Sequence, residues 1–77
     1  MEKKIISIIN LILENKNLNP IKELDNKVDL RNNLAFDSFD LAELTVRVES
    51  EFGIDIFEDG IVSTIGDVLK KIKNNEK

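Results

Sequence analysis

The sequence predicts an all-α domain, a small bundle of three main helices plus one short helix. Three stretches, within residues 5–13, 41–52 and 65–72, carry apolar residues at the three- and four-residue spacing of a buried helix face. Proline and glycine interrupt the chain between these stretches. At 77 residues, we expect a single domain, residues 1–77, with a small hydrophobic core.

The first helix is predicted from isoleucines near the start of the chain. Its stripe consists of Ile5, Ile8, Ile9 and Ile12, with Ile6 and Leu13 at the margin. Isoleucine also favours strands, but residues 3–15 contain no turn signal, so a helix is favoured. Pro20 then bars helix continuation, and an Asn-rich stretch follows. We expect this stretch to be a long ordered loop packed over the core by Leu18, Ile21, Leu24, Val28 and Leu30.

The second helix is predicted to run from about Ser38 to Phe52. One face repeats with the helical period, and it consists of Leu41, Leu44, Thr45, Val48 and Phe52. Gly53 is a natural residue to end this helix, because glycine adopts the left-handed conformation at low cost.

The last part of the chain is predicted to contain the short helix and then the third main helix. Residues 54–62 are interpreted as a connector with one short helical turn. Ser63 or Thr64 can cap the following helix. Its inward face is predicted to consist of Ile65, Val68, Leu69 and Ile72.

The composition argues against an enzyme. The chain contains no Cys, His, Trp or Tyr, so it lacks a thiolate nucleophile, an imidazole base and a zinc-binding set. We therefore expect neither independent catalysis nor a metal site. No apolar run reaches the length of a membrane span, and the start lacks the small-residue cleavage site of a secretory signal. We expect a cytoplasmic protein.

Negative charge is concentrated in the middle of the sequence. Residues 37–60 contain eight acids and one base, Arg47, a net charge of −7, whereas the whole chain carries −4. Such a block repels nucleic acids and anionic membranes and attracts basic protein surfaces. It is also typical of a simple solvated face, and the count alone does not decide between the two.

The residues at the start of the second helix have two interpretations. Asp37 as N-cap with Asp40 three residues later resembles a capping box, and acids suit the first turn of a helix. If capping is their only role, Ser38 is a replaceable first-turn residue. The wider context favours the second interpretation, in which Ser38 is presented to a partner.

The stretch LAFDSFDLAEL resembles the phosphopantetheine attachment motif of acyl carrier proteins, in which a D-S-[L/I/M] step opens the second helix. The resemblance continues through ELTVRVESEFGIDI, similar to that family's acidic recognition helix, and resumes at STIGDVLKKI, similar to its final helix. Specific similarity covers residues 28–72, and the whole length fits the family.

Three positions and one segment depart from the family pattern. Ala35 and Phe39 replace a common Gly and a common Leu or Ile, Asn33 stands where an acid is frequent, and FEDGI is shorter than the usual third helix. None of these departures replaces Ser38 itself. They bear on whether this is the housekeeping fatty-acid carrier or a specialised relative.

The resemblance implies that Ser38 receives 4′-phosphopantetheine from coenzyme A through a separate phosphopantetheinyl transferase. The terminal thiol of that group would hold acyl intermediates as thioesters for fatty-acid-type, specialised lipid or polyketide biosynthesis. The implied partners are acyl-loading and acyl-processing enzymes with basic docking patches. We expect a monomer that binds neither nucleic acid nor membrane.

The resemblance also assigns a docking surface on and beside the second helix. It consists of Asp37, Phe39, Asp40, Glu43, Val46, Arg47, Glu49 and Glu51. Phe39 could instead lie in the core, because phenylalanine is more often buried. Arg47 could select among partners or pair with Glu43 or Glu51 one helical turn away, and we favour the pair.

An apolar seam between the second helix and the later elements is the predicted location of an acyl chain. Its candidates are Leu44, Val48, Ile54, Ile56, Ile65 and Leu69. A small bundle can open such a seam at modest cost, because few contacts must separate.

Two other functions remain open. A carrier of amino acids or peptides would share the fold, although the acidic second helix leans toward acyl chemistry. A helical interaction domain that lost the modification is the other, but it would have no reason to retain serine at position 38.

Overall fold

Three helices form the framework of the computed structural model: α1 (Glu2–Asn15), α2 (Ser38–Phe52) and α3 (Ile65–Asn75). The structure describes residues 2–58, 60 and 62–75, and within these it contains no β-strand, so the all-helical class is confirmed. The short fourth helix expected within residues 54–62 is not confirmed. Residues 56–58 form a turn, and residues 59 and 61 lie outside the described part.

Helix α1 packs against α2 with the predicted isoleucine stripe. Its buried residues are Ile5, Ile8, Ile9, Ile12 and Leu13. The helix ends where Asn17 adopts the left-handed conformation (φ 61°), which Asn tolerates better than most residues. The Leu18 N–H then returns to the Leu13 carbonyl at 2.9 Å. This tight turn leaves Leu18 38% exposed, so its expected packing over the core is wrong.

The rest of the loop between α1 and α2 is ordered as predicted. The Asn10 side chain accepts a hydrogen bond from the Ile21 N–H (2.7 Å) and donates one to the Ile21 carbonyl (3.0 Å). This pair fixes the chain directly after Pro20. Further along, Leu30 is fully buried, and Ile21, Leu24 and Val28 pack against the core in partly buried positions.

Backbone hydrogen bonds join this loop to the start of α3. The Leu30 N–H donates to the Ser63 carbonyl (2.9 Å), and the Ile65 N–H donates to the Val28 carbonyl (3.0 Å). They form an isolated antiparallel bridge centred on Asp29 and Thr64. The loop that leads into α2 is therefore braced against α3.

Thr64, one of the two predicted caps, stands directly before the first residue of α3, Ile65. Its hydroxyl accepts the Asp67 N–H at 3.1 Å, while the Asp67 carboxylate accepts the N–H groups of Ser63 and Thr64. These backbone donors, Ser63 first and then Thr64, hold the pKa of Asp67 below its usual value. All four residues predicted to face inward from α3 are buried: Ile65, Val68, Leu69 and Ile72.

We expect the Gly66→Ala variant to be less stable than wild type by about 1–2 kcal/mol. A Cβ at position 66 would lie 2.8 Å from the Asn26 carbonyl oxygen and 3.0 Å from the Asn26 Cβ. That carbonyl cannot easily retreat, because it accepts the Gly66 N–H at 3.1 Å. The helix propensity of Ala opposes the clash by up to about 1 kcal/mol.

Urea unfolding followed by circular dichroism measures this difference. Ser50→Ala, an exposed change within α2, is the control and should shift the midpoint little. A Gly66→Ala variant as stable as wild type would show that residue 26 does not closely approach α3.

Candidate functional site

The first turn of α2 presents Ser38 to solvent. Asp37 is the N-cap, in an extended conformation (φ −95°, ψ −173°), and its side chain accepts the Asp40 N–H. The Asp40 carboxylate accepts the Asp37 N–H in return at 2.9 Å, which completes the predicted capping box. The cap is therefore made by Asp37, and Ser38, the first helical residue, is exposed.

The residues before Ser38 are held by one buried anchor and one unusual backbone conformation. Phe36 is only 3% exposed, and its N–H donates to the Leu30 carbonyl at 2.9 Å. Ala35 adopts the left-handed conformation (φ 58°), in which glycine carries no Cβ penalty. Ala35 occupies the position where the family that the chain resembles commonly has Gly. The left-handed backbone at this position explains that preference, because glycine adopts it more easily than alanine.

Lys16 ties the end of α1 to both sides of Ser38. Its Nζ lies 2.6 Å from the Ala35 carbonyl oxygen and 2.5 Å from the Asp40 Oδ2. Partial burial pushes the pKa of Asp40 upward. The hydrogen bonds from Lys16 and the Asp37 N–H, together with the lysine charge, outweigh burial, so the pKa lies below its usual value. No local sequence pattern indicates this contact.

An apolar groove of about 490 Å³ opens beside Ser38 and follows α2 toward Asp55 and Phe57. Its walls are formed by Arg31, Ser38, Leu41, Ala42, Thr45, Val46, Asp55 and Phe57. A second groove of about 480 Å³ adjoins it and shares Arg31, Leu41 and Phe57. Any group attached to Ser38 would therefore have an apolar surface within reach.

The predicted docking surface contains two strongly exposed apolar residues. Phe39 is 86% exposed and Val46 67% exposed, and they lie two turns apart along α2. The interpretation of Phe39 as a core residue is therefore wrong. Two large apolar side chains exposed on one helix offer an apolar surface that another protein could cover.

Three acids of the predicted docking surface form ion pairs within the chain. Asp40 pairs with Lys16. The Glu43 carboxylate lies 2.8 Å from the Arg47 Nε, so the favoured intrahelical pair of Arg47 is confirmed. Glu51 pairs with Lys4 at 3.2 Å. Asp37 and Glu49 are exposed, and the structure shows no ion pair for either among its described residues.

The six candidates for the acyl seam lie in the core rather than beside Ser38. Leu44, Val48, Ile56 and Ile65 are fully buried, Leu69 is 7% exposed, and Ile54 is half-buried against the same cluster. None of them lines the groove at Ser38. That groove was not predicted from the sequence. The four-residue spacing of Ser38, Ala42 and Val46 places them on the side of α2 that lines the groove, whereas no sequence pattern places Arg31 and Phe57 beside that side.

Comparison with known proteins decides the family. The family model described as "Phosphopantetheine attachment site" matches residues 3–72. The chain belongs to the acyl carrier protein family. It is similar to the acyl carrier protein of Wolinella succinogenes, with 31% identity over 71 residues, covering 90% of this chain and 92% of the relative.

Other acyl carrier proteins match to a similar extent. Those of Bradyrhizobium sp. (strain ORS 278) and Nitrobacter hamburgensis are each 33% identical over 69 residues, covering 87% of this chain and 86% of theirs. No solved structure matches significantly. The cofactor of this carrier family is 4′-phosphopantetheine. In the part of the chain that the structure describes, no helix has the length and apolar character needed to cross a bilayer.

Proposed function

We propose that this protein is an acyl carrier in which 4′-phosphopantetheine is attached to Ser38. The observation that carries the proposal is the exposed serine at the first position of α2, within the region that matches the family model. The proposed setting is the cytoplasm, and the proposed pathway is fatty-acid-type, specialised lipid or polyketide synthesis. As a carrier, the protein would perform no catalysis of its own.

The surroundings of Ser38 fit the phosphodiester end of the group. The serine lies in the first turn of α2, where backbone N–H groups lack partners within the helix and the dipole favours negative charge. Asp37 and Asp40 oppose that attraction, so we expect the phosphate to stay solvated. When bound, the group supplies a terminal thiol that holds cargo as a thioester.

Attachment requires help from a partner enzyme. The Ser38 oxygen would attack the phosphorus that bears the pantetheine arm of coenzyme A, and the bond to the adenosine bisphosphate leaving group would break. The hydroxyl proton must go to a base of the transferase, because serine is a weak nucleophile and this chain contains no histidine or cysteine.

Docking of partner enzymes is proposed to use the exposed side of α2. Phe39 and Val46 offer the apolar contact, and the exposed carboxylates of Asp37 and Glu49, which form no ion pair within the described residues, offer charge. The ion pairs within the chain would then adjust the strength of that charge. They involve the acids Asp40, Glu43 and Glu51, and Arg47 as the partner of Glu43. Basic patches on acyl-loading and acyl-processing enzymes are the expected counterparts.

The test of attachment is an intact-mass measurement. Incubation of the protein with coenzyme A, magnesium and a broad-range phosphopantetheinyl transferase should raise its mass by one phosphopantetheinyl group. Fragmentation should locate that group on the peptide containing Ser38. A protein whose mass does not change with several such transferases would contradict the proposal.

Apolar cargo has two proposed locations. One is the open groove beside Ser38, and the other is the seam between α2 and the later elements, formed by Leu44, Val48, Ile54, Ile56, Ile65 and Leu69. Entry into the seam requires core contacts to separate, whereas the groove is already open. Polar side chains on the groove favour a second candidate, an aminoacyl or peptidyl carrier with polar cargo. These side chains are Arg31, Thr45 and Asp55.

Melting of the acylated protein distinguishes apolar from polar cargo. We expect a medium-length acyl group on the arm to raise the midpoint by several degrees, because about 1 kcal/mol shifts the Tm of a domain this small by about 4–8 °C. The control is the protein carrying the unloaded arm at the same salt concentration. An unchanged or lower midpoint would indicate that the acyl group stays in solvent, and it would favour polar cargo.

A further inference from the structure

Lys16 bridges the two backbone segments that flank Ser38. Its Nζ contacts the carbonyl oxygen of Ala35, three residues before the serine, and the carboxylate of Asp40, two residues after it. The side chains are largely enclosed, with 27% of Lys16 and 13% of Asp40 exposed. An enclosed pair of this kind is ordered more strongly than an ion pair between solvent-exposed side chains.

The turn at the end of α1 determines where Lys16 stands. The Lys16 N–H donates to the Leu13 carbonyl at 3.0 Å, and the Asn17 N–H donates to the Glu14 carbonyl at 3.0 Å. Leu13 itself is buried. The lysine therefore extends from a fixed backbone, and its Nζ contacts hold the start of α2 relative to the end of α1.

The two contacts of Lys16 act on different features of the Ser38 segment. The bond to the Ala35 carbonyl holds a residue whose left-handed conformation is less favourable than it would be for glycine. The bond to Asp40 orients the carboxylate that also accepts the Asp37 N–H, and it offsets one of the two negative charges beside Ser38.

We infer that Lys16 is a positioning residue for modification of Ser38. It holds the chain on both sides of the serine in the conformation that presents the hydroxyl, and it reduces the repulsion that Asp40 exerts on the phosphates of coenzyme A. This inference rests on the proposed attachment at Ser38. It assigns a role to a residue that lies outside the acidic helix.

The first experiment measures the kinetics of phosphopantetheinyl transfer to the Lys16→Gln variant, well below its melting temperature. We expect kcat/KM to fall about three- to fivefold, with the larger part in kcat, because a displaced nucleophile reacts more slowly once bound. Lys16→Arg should retain more activity than Lys16→Gln, because it keeps the charge. Adding Ala35→Gly to Lys16→Gln should recover part of the loss.

Lys22→Gln is the matched control, because it removes the same charge from an exposed loop residue. Its rate should equal that of wild type. Equal rates for wild type, Lys16→Gln and Lys22→Gln would overturn the inference. A lower transfer rate in Lys16→Gln that is fully explained by a lower melting temperature would overturn it as well.

Amide hydrogen exchange supplies a readout that does not require modification. In Lys16→Gln, the amides of residues 36–41 should exchange faster, and the pKa of Asp40 should rise when followed by NMR. Unchanged exchange and an unchanged pKa would overturn the inference. If wild type accepts no phosphopantetheinyl group, attachment at Ser38 fails, whereas the effect of Lys16 on this segment is still decided by the exchange measurement.

Discussion

Replacing Ser38 with alanine should abolish phosphopantetheinylation while leaving the fold intact. Alanine is well tolerated in the first turn of a helix, and the cap of α2 is provided by Asp37 rather than by Ser38. We therefore expect a change in stability within about 0.5 kcal/mol. The chemical effect is total, because no other oxygen of the α2 start can replace a hydroxyl as the attacking group. Intact mass after incubation with transferase and coenzyme A measures the result.

Ser50→Ala is the control for this variant. Ser50 is also exposed and also lies in α2, but it sits near the end of the helix, away from the capping box. Its modification should proceed as in wild type. A phosphopantetheinyl group on the Ser38→Ala protein would show that another residue is the attachment site, and loss of modification in Ser50→Ala alone would point to that serine.

Reversing two charges of the docking surface should slow association with partner enzymes at least about tenfold at low ionic strength. The variant is Glu43→Lys combined with Glu49→Lys. Glu49 is exposed without an ion pair in the described part of the chain, and Glu43 offsets Arg47, so the two changes together reduce the net charge of residues 37–60 from −7 to −3. Stopped-flow association with the transferase at several salt concentrations measures the rate. The salt dependence should flatten, because the electrostatic attraction that salt screens has been weakened.

The combined variant Glu2→Lys and Glu23→Lys is the control. Both residues are exposed, and they line a groove with residues of α3 that includes no residue of α2. Each double variant shifts the net charge of −4 by the same amount, so a difference between them reports the place of the charge. Equal association rates for the two variants would show that the acidic side of α2 is merely solvated.

Short-range sequence patterns determined most of the secondary structure. The isoleucine stripe predicted α1, the spacing of Leu41, Leu44 and Val48 predicted α2, and its expected bounds agree with those observed. Asp37, Asp40 and Gly53 marked the ends of α2, because caps are formed by residues only a few positions apart. The residues that carry the family resemblance also lie in continuous stretches.

For two apolar side chains, the structure differs from the sequence-based prediction in exposure to solvent. Phe39 is apolar and could equally have been core, but it stands on the side of α2 away from the packed face and is 86% exposed. Leu18 was expected to pack, but the left-handed turn at Asn17 leaves it partly exposed. A side chain's hydrophobicity does not say whether another element covers it.

Local sequence specifies the three helices, the capping box and the candidate serine, because each depends on neighbours within one or two helical turns. The contact of Lys16 with Ala35 and Asp40 depends instead on tertiary packing, because Lys16 and Asp40 are 24 residues apart in the sequence. The groove likewise joins Arg31, Ser38 and Phe57, which come from separate elements. Contacts of this kind depend on how helices and loops pack, and no local periodicity encodes which distant residues meet.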